Sequence, residues 1–545
     1  MSSVRYLIAA PEGELADWQV RCIGHLTDVG ARAVGLVASV RTSSRVRSTF
    51  WSIATMVARP RSIRQSRAGS ALHDLPLLKS VEDLGENAID FVLDFGESGG
   101  DAVDASFFSA APLGFWRFAF APSPAGAPPG AGDLAAGREV ACAALVSCDA
   151  HGVAKRVLKR GALAVTRTRL GRHVDELLYE VARWPAHACE TLQGSGGSNA
   201  GEVIVDEKSL FADTEQTHGP HGAIGFLVRI LIAGASALLR RSFFSSSWNI
   251  GVARARIESF AKDGPLPEVA WYPKADVQRF AADPFGLIVD GRRIVLCESL
   301  FPGSDGTIHS ASFDGATWGA DLEPSLELPF HLSYPYIIEH EGGVYCVPEA
   351  SASGEIAIYR AVRFPDRWEK RATLVAGVGG VDSSIVRFGD KWWMFAGDIA
   401  DGADFKLRIW YADDLFGPWH PHAASPAKID VRSSRCAGTP FVVDGVLYRP
   451  SQDCSQTYGG RVIVNRVLKL TPTEFVEESA RIVDAESGGP YRFGLHTLSR
   501  FGEYTLIDGK QRFLSVSYWI RRAKRPFVST RGSKRRDVSD QPPYR

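Results

Sequence analysis

The sequence predicts a multidomain protein, an N-terminal α/β domain followed by an all-β propeller of five blades. Three observations predict it: a phrase that recurs about every fifty residues between 280 and 510, strand–helix alternation ahead of it, and a polar stretch between the two. The phrase opens as Asp283-Pro284-Phe285 before Asp290-Gly291 and returns as Tyr334-Pro335-Tyr336 before Glu341-Gly342-Gly343. It recurs as Asp382-Ser383-Ser384 before Gly389-Asp390 and as Thr439-Pro440-Phe441 before Asp444-Gly445. A weaker fifth copy is His496-Thr497-Leu498 before Phe501-Gly502. Each copy is an apolar run, a glycine-containing turn and a second apolar run, the signature of a hairpin. Aromatic anchors at Trp318, Trp368, Trp419 and Phe475 close the copies at similar spacing. Short strands with that period are propeller blades.

Taken in order, Tyr6–Ala10 is an apolar first strand and Glu14–Leu26 carries helical periodicity through Leu15, Trp18, Cys22 and Leu26. Ala33–Ala38 and Ile89–Phe95 are further strands, so residues 1–192 form a Rossmann-type parallel sheet with crossover helices. Residues 121–138, rich in Pro, Gly and Ala, are a long loop, and His173–Cys189 is the last helix. Residues 193–247 hold a Gly/Ser-rich linker and an apolar helix from Ala223 to Leu239, residues 248–520 the propeller, and 521–545 a basic disordered tail.

Composition narrows the function. The 545 residues balance 62 Lys and Arg against 62 Asp and Glu, so no global field draws nucleic acid, and none is expected as a partner. Eight scattered cysteines without a C-x-x-C pair exclude a zinc ribbon and point to reduced thiols in the cytoplasm. No signal peptide is visible, and an apolar stretch of seventeen residues interrupted by Arg229 is short for a membrane span. It reads as a buried interdomain helix. The alternative is an interfacial helix; it and the basic tail are the two segments that could touch a membrane, which would make the chain membrane-associated. P-loop, nucleophile-elbow and H-E-x-x-H motifs are absent, as is a D-x-D within a nucleotide-sugar fold, so a glycosyltransferase site of that kind is not expected.

Residues 248–512 resemble the propeller domain at the N-terminus of glucosamine inositolphosphorylceramide transferases, also found in bacterial proteins. The resemblance rests on Ala282-Asp283-Pro284-Phe285, His331-Leu332-Ser333-Tyr334-Pro335-Tyr336, Val347-Pro348-Glu349 and Tyr359-Arg360-Ala361 with Trp368. Val381-Asp382-Ser383-Ser384 and Gly494-Leu495-His496-Thr497 complete it. It implies a fold similar to the five-bladed propellers of glycoside hydrolase family 43, where sugars bind over the central channel. The first 190 residues resemble, more weakly, a formyltransferase domain. Arg117 and Ala119 stand where that family has Asn and His, which leaves no general acid–base group, with Asp149 the residual acid. A degenerate, structural formyltransferase-like domain follows from that departure.

A propeller brings the starts of its inner strands to one axis, so acids about fifty residues apart can face one another there. Asp283 and Asp382 are the leading catalytic pair and Glu349, at the end of the second strand of blade two, assists. Tyr334, His331, Arg360 and His496 are the candidate substrate-binding residues. The resemblance places an Asp where Tyr334 stands and a Glu where Asp382 stands. It also implies that calcium near His496 is the one candidate ion; no other cofactor is called for. Each residue has a plainer role open to it: Asp283 and Asp382 as turn caps, Glu349 paired with Arg360, His496 as a packed core group. The expected function is glycoside cleavage or glycosyl transfer on a glycan or glycolipid, or else glycan binding without turnover in surface-polysaccharide or glycolipid synthesis.

Overall fold

The computed structural model describes residues 4–11, 15–39, 49–66, 75–96, 106–123, 126–149, 151–194, 202–203, 210–211, 223–273, 279–301, 304–319, 321–486 and 488–514. Its contacts divide the chain into two units, 1–235 and 236–545. The tail 521–545 and most of the Gly/Ser-rich stretch lie outside the described residues.

The first unit is built on one sheet of eight strands. These are β1 (Arg5–Pro11), β2 (Arg32–Ser39), β3 (Leu77–Leu78), β4 (Phe91–Asp94), β5 (Phe115–Phe120), β6 (Val140–Cys148), β7 (Ala154–Ala164) and β8 (Glu202–Val203), in the order β3-β2-β1-β4-β5-β6-β7-β8. The apolar runs of β1 and β4 are buried throughout, as central parallel strands covered on both faces require. The sheet is mixed rather than wholly parallel. Strands β3 to β5 run parallel, but β6, β7 and β8 add antiparallel ones. Short connections make the difference, because Asp149–Val153 leaves no room for a crossover between β6 and β7.

The helices are α1 (Asp17–Asp28), α2 (Thr49–Ala58), α3 (Ser106–Ala110), α4 (Ala131–Ala136), α5 (Leu170–Val181), α6 (Trp184–Gly194) and α7 (Ala223–Phe243). Two of them correct the sequence reading. The expected single helix 173–189 is two, because Pro185 lacks the N–H that would continue α5. The loop 121–138 contains α4, ended by Gly137 in the left-handed region. The strand β8 lies within the expected linker.

In the second unit five sheets follow one another as blades. Blade one is Phe280–Val289, Arg292–Leu300, Thr307–Phe313 and Glu323–Leu326, and blade two is Ser333–His340, Gly343–Glu349, Glu355–Arg363 and Arg367–Ala376. Blade three is Gly380–Phe388, Lys391–Asp398 and Lys406–Ala412 with an outer edge split into His420–Pro421 and Lys428–Ile429. Blade four is Phe441–Val443, Val446–Asp453, Arg461–Leu470 and Phe475–Val483. Blade five takes its two inner strands, Leu498–Phe501 and Tyr504–Leu514, from the end of the repeats and its outer two, Phe244–Ala253 and Val269–Trp271, from their beginning. That shared sheet closes the ring, and it puts the first propeller strand at Phe244, four residues ahead of the expected boundary.

Turn chemistry repeats with the blades. Asp290-Gly291, Glu341-Gly342 and Asp444-Gly445 all have positive φ at both central residues, the geometry of two-residue hairpin turns. Neighbouring blades are pinned by the aromatic anchors. The Trp318 Nε1 donates to Ala270 O in blade five at 2.9 Å, Trp368 Nε1 to Ser325 Oγ in blade one at 3.2 Å, and Phe475 packs on Phe395 of blade three.

Candidate active site at the propeller axis

Three inner strands carry the same backbone irregularity. Asp283, Tyr334 and Asp382 have φ of 50°, 45° and 49°, and at each the register with the second strand slips. A non-glycine residue in the left-handed region costs about 1 kcal/mol or more, so three copies at one register mark positions the fold has aimed on purpose. All three side chains are buried.

Asp382 is held from blade four. Its Oδ2 accepts Arg435 Nε at 2.7 Å and Gln452 Nε2 at 2.9 Å, so the buried carboxylate is salt-bridged to a guanidinium. Its amide donates to Glu349 Oε2 at 3.2 Å. Burial, then the Asp382 charge, push the Glu349 carboxyl well above the usual range, with Arg435 opposing. Burial opposes the charge on Arg435, but Asp382, Tyr458, Asp404 and Glu349 outweigh it. One acid paired with a cation beside another whose charged form burial disfavours is a division that acid–base chemistry can use.

Asp283 is held from blade five. Its Oδ1 accepts Thr497 Oγ1 at 3.0 Å and lies 3.8 Å from His496 Nε2, and its amide donates to Asp508 Oδ2 at 3.1 Å. Burial pushes Asp283 up to about 7, with Asp382 and Asp508 adding and His496 opposing. The His496 ring stacks on Trp248 at 3.9 Å and sets Nδ1 2.5 Å from Asp508 Oδ2. Burial works against its charge, yet Asp508 and Asp283 raise it.

The remaining candidates separate. His331 stands near the acids, its Nε2 3.3 Å from Glu298 Oε1 and its Nδ1 accepting Gly306 N at 2.9 Å, which puts the neutral ring's proton on Nε2. Tyr334 lies inside the ring, packed edge-on to Phe285 with its hydroxyl bonded to Ser384 Oγ and the backbone of Gly438, so it spans from blade two to blades three and four. Its hydroxyl is committed to the scaffold. Arg360 is exposed on the third strand of blade two, in register with Tyr345, and is neither at the axis nor paired with Glu349. The strand alternates its side chains, and four positions of register separate it from the acid.

Four functional groups escaped the sequence reading: Glu298, Arg435, Gln452 and Asp508. Glu298 was within reach, because it follows Asp283 by the same fifteen residues that separate Glu349 from Tyr334. It is buried, and burial with Asp283, Glu349 and Asp382 pushes it well above the usual carboxyl range. Arg435 and Gln452 sit where blade four departs from the repeat, and Asp508 belongs to the weakest copy, so no periodic signal marks them.

Asp283, His496 and Asp508 bring one ligand atom each within 4.8 Å of one another. Calcium asks for six to eight oxygens. Here Asp508 Oδ1 already accepts two amides, its Oδ2 faces the His496 ring, and the third ligand is nitrogen, so the set does not fit calcium.

Comparison with known proteins bears on the same stretch. Residues 272–489 match the family model described as glucosamine inositolphosphorylceramide transferase 1, N-terminal. Proteins of that name from Oryza sativa subsp. japonica and Arabidopsis thaliana are 36% and 37% identical over 262 and 207 residues, or 45% and 36% of this chain. The chain spans 34% and 27% of those relatives' lengths. The match to the family model lies outside residues 1–192, so it lends nothing to the formyltransferase likeness. Among solved structures, a family 117 glycoside hydrolase from Zobellia galactanivorans covers 50% of this chain and 92% of its own at 13% identity and a TM-score of 0.32. The GH62 arabinofuranosidase domain of Coprinopsis cinerea covers 47% and 85% at 16% identity and 0.33. The five sheets themselves, and not these scores, establish the propeller.

Proposed function

We propose that the propeller acts on a glycosidic bond of a glycan or glycolipid at its axis. The observation that carries the reading is the Glu349–Asp382 pair, one backbone hydrogen bond apart, with Asp382 salt-bridged to Arg435 and the Glu349 carboxyl pushed upward by burial and its neighbour. In this reading Glu349 gives its proton to the leaving oxygen as the glycosidic C–O bond breaks. Asp382, whose Oδ2 is occupied by Arg435 and Gln452, offers Oδ1 to the anomeric carbon or to an incoming hydroxyl. Asp283 is the third carboxyl, near 7, and modulates the pair. His331 serves as a sugar-facing donor, while Tyr334 and His496 hold the acids in place. The name of the plant relatives joins an amino sugar to an inositolphosphorylceramide, which supports a glycolipid headgroup as the substrate class. The rival reading, sugar binding without turnover, is favoured by Tyr334 in the place of a third inner-strand acid and by the cross-blade bonds of every acid.

A screen of oligosaccharides and glycolipid headgroups with wild type, Asp382→Asn and Glu349→Gln tests the proposal. Removing a positioned acid or base should lower turnover about 10²–10⁴-fold with sugar affinity retained. Sugar binding with no turnover by wild type would select the rival, and turnover that survives both substitutions would sink the assigned roles.

A further inference from the structure

Helices α2 and α7 leave apolar stripes uncovered. On α7, Leu227, Val228, Leu231 and Ile232 recur at helical spacing, with Leu231 70% and Ile232 60% exposed, and the same helix carries exposed Leu238 and Leu239 further on. On α2, Ile53, Met56 and Val57 form a second stripe, with Met56 68% and Val57 72% exposed. Phe226 of α7 packs on Phe50 and Trp51 of α2, at ring distances of 5.9 and 4.9 Å, so the helices meet at their first turns. Arg229 ties α7 to α4 by donating to Ala136 O at 3.1 Å. Exposed apolar surface gathered on two adjacent helices calls for a covering partner.

Charge identifies that partner. Among the described residues beside α2 are Arg59, Arg61 and Arg64, and the sequence has no acid between Asp28 and Asp74. Around α7 the sequence has no acid between Glu215 and Glu258, and Arg240 sits near its end. Along the sequence both stripes are therefore flanked by arginines and by no acid, in a chain whose net charge is zero; the acids that meet the end of the α2 flank, Asp17 and Asp175, come from other helices. A protein partner's apolar groove needs no such bias; an anionic lipid surface does. Among the described residues no helix is long and apolar enough to cross a membrane, so the helices would lie in its plane.

We propose that α2 and α7 form a monotopic surface that seats the first unit on an anionic bilayer. Leucine, isoleucine, methionine and valine side chains enter the acyl boundary and the flanking arginines meet lipid phosphates. This surface goes beyond the sugar site and stands or falls apart from it.

The test is co-sedimentation of the full chain with vesicles of phosphatidylcholine alone and of phosphatidylcholine with 30% phosphatidylglycerol. Binding should be about tenfold stronger to the anionic vesicles and fall with added salt. The double variants L231E/I232E and M56E/V57E should each weaken it about tenfold or more, while L468E/V476E, on exposed residues of blade four, should not. Equal binding to both vesicles, or binding unmoved by both helix variants, would overturn the proposal. So would a wild-type dimer that ignores vesicles and becomes monomeric in L231E/I232E.

Discussion

At the scale of single residues, the axis is a set of acids whose states differ because their partners differ. Arg435 is the cation on which Asp382 depends. Arg435→Met leaves a buried carboxylate without its partner and should destabilise the chain by about 3–5 kcal/mol, with part of that recovered in Arg435→Met/Asp382→Asn; denaturant unfolding measures both. A double variant no more stable than Arg435→Met alone would contradict the unpaired-charge argument. The pH dependence follows from Asp283. Its folded pKa near 7 lies above that of an unfolded aspartate, about 3.9, so the folded state holds this proton more tightly. Compared with Asp283→Asn, wild type should lose stability as pH rises from about 4 to about 7 and hold level above. His496, also raised, loses its contribution in the same direction as pH passes its folded value. A difference between the two proteins that grows toward acid and favours the variant would contradict the assignment. Asp283, Asp382 and Glu349 were legible in the sequence because they fall on the period. Arg435, Gln452 and Asp508 were not, because a cross-blade partner leaves no trace in the spacing of either blade.

At the scale of elements, the same strained turn is used three times to aim a side chain inward, and at the entry to blade four a left-handed residue stands one place earlier, Gly438 with φ of 111°, just ahead of Thr439. A Cβ on Gly438 would collide with Leu498 O, on the neighbouring blade's inner strand. Gly438→Ala should therefore cost about 3 kcal/mol or more. Gly354, also left-handed at 69° but with nothing near its Cβ, should cost only about 1–2 kcal/mol as alanine. Similar losses at both sites, read by thermal or denaturant unfolding, would remove the packing argument. The hairpins were legible because Asp-Gly and Glu-Gly-Gly between apolar runs specify one turn geometry. The strand Phe244–Ala253 was displaced because its pairing is with Tyr504–Leu514, more than two hundred residues away, and local pattern says nothing of such a partner. The helix α7 misled for a different reason. Apolar content suggested burial, but its stripe is left open to solvent.

At the scale of the whole molecule, the first unit carries α2 and most of α7 and the second carries the acids, each with its own core. The match to the family named for glucosamine inositolphosphorylceramide transferase 1 covers blades one to four of the second unit, which makes glycan chemistry at their axis the central claim. The measurement that tests it most directly compares leaving groups. If Glu349 is the proton donor, Glu349→Gln should lose about 10²–10⁴-fold in kcat/KM on a substrate whose leaving group is a sugar alcohol. The same variant should be nearly unaffected on a dinitrophenyl glycoside, whose leaving group needs no proton, while Asp382→Asn fails on both. Equal losses for Glu349→Gln on the two substrates would contradict the account.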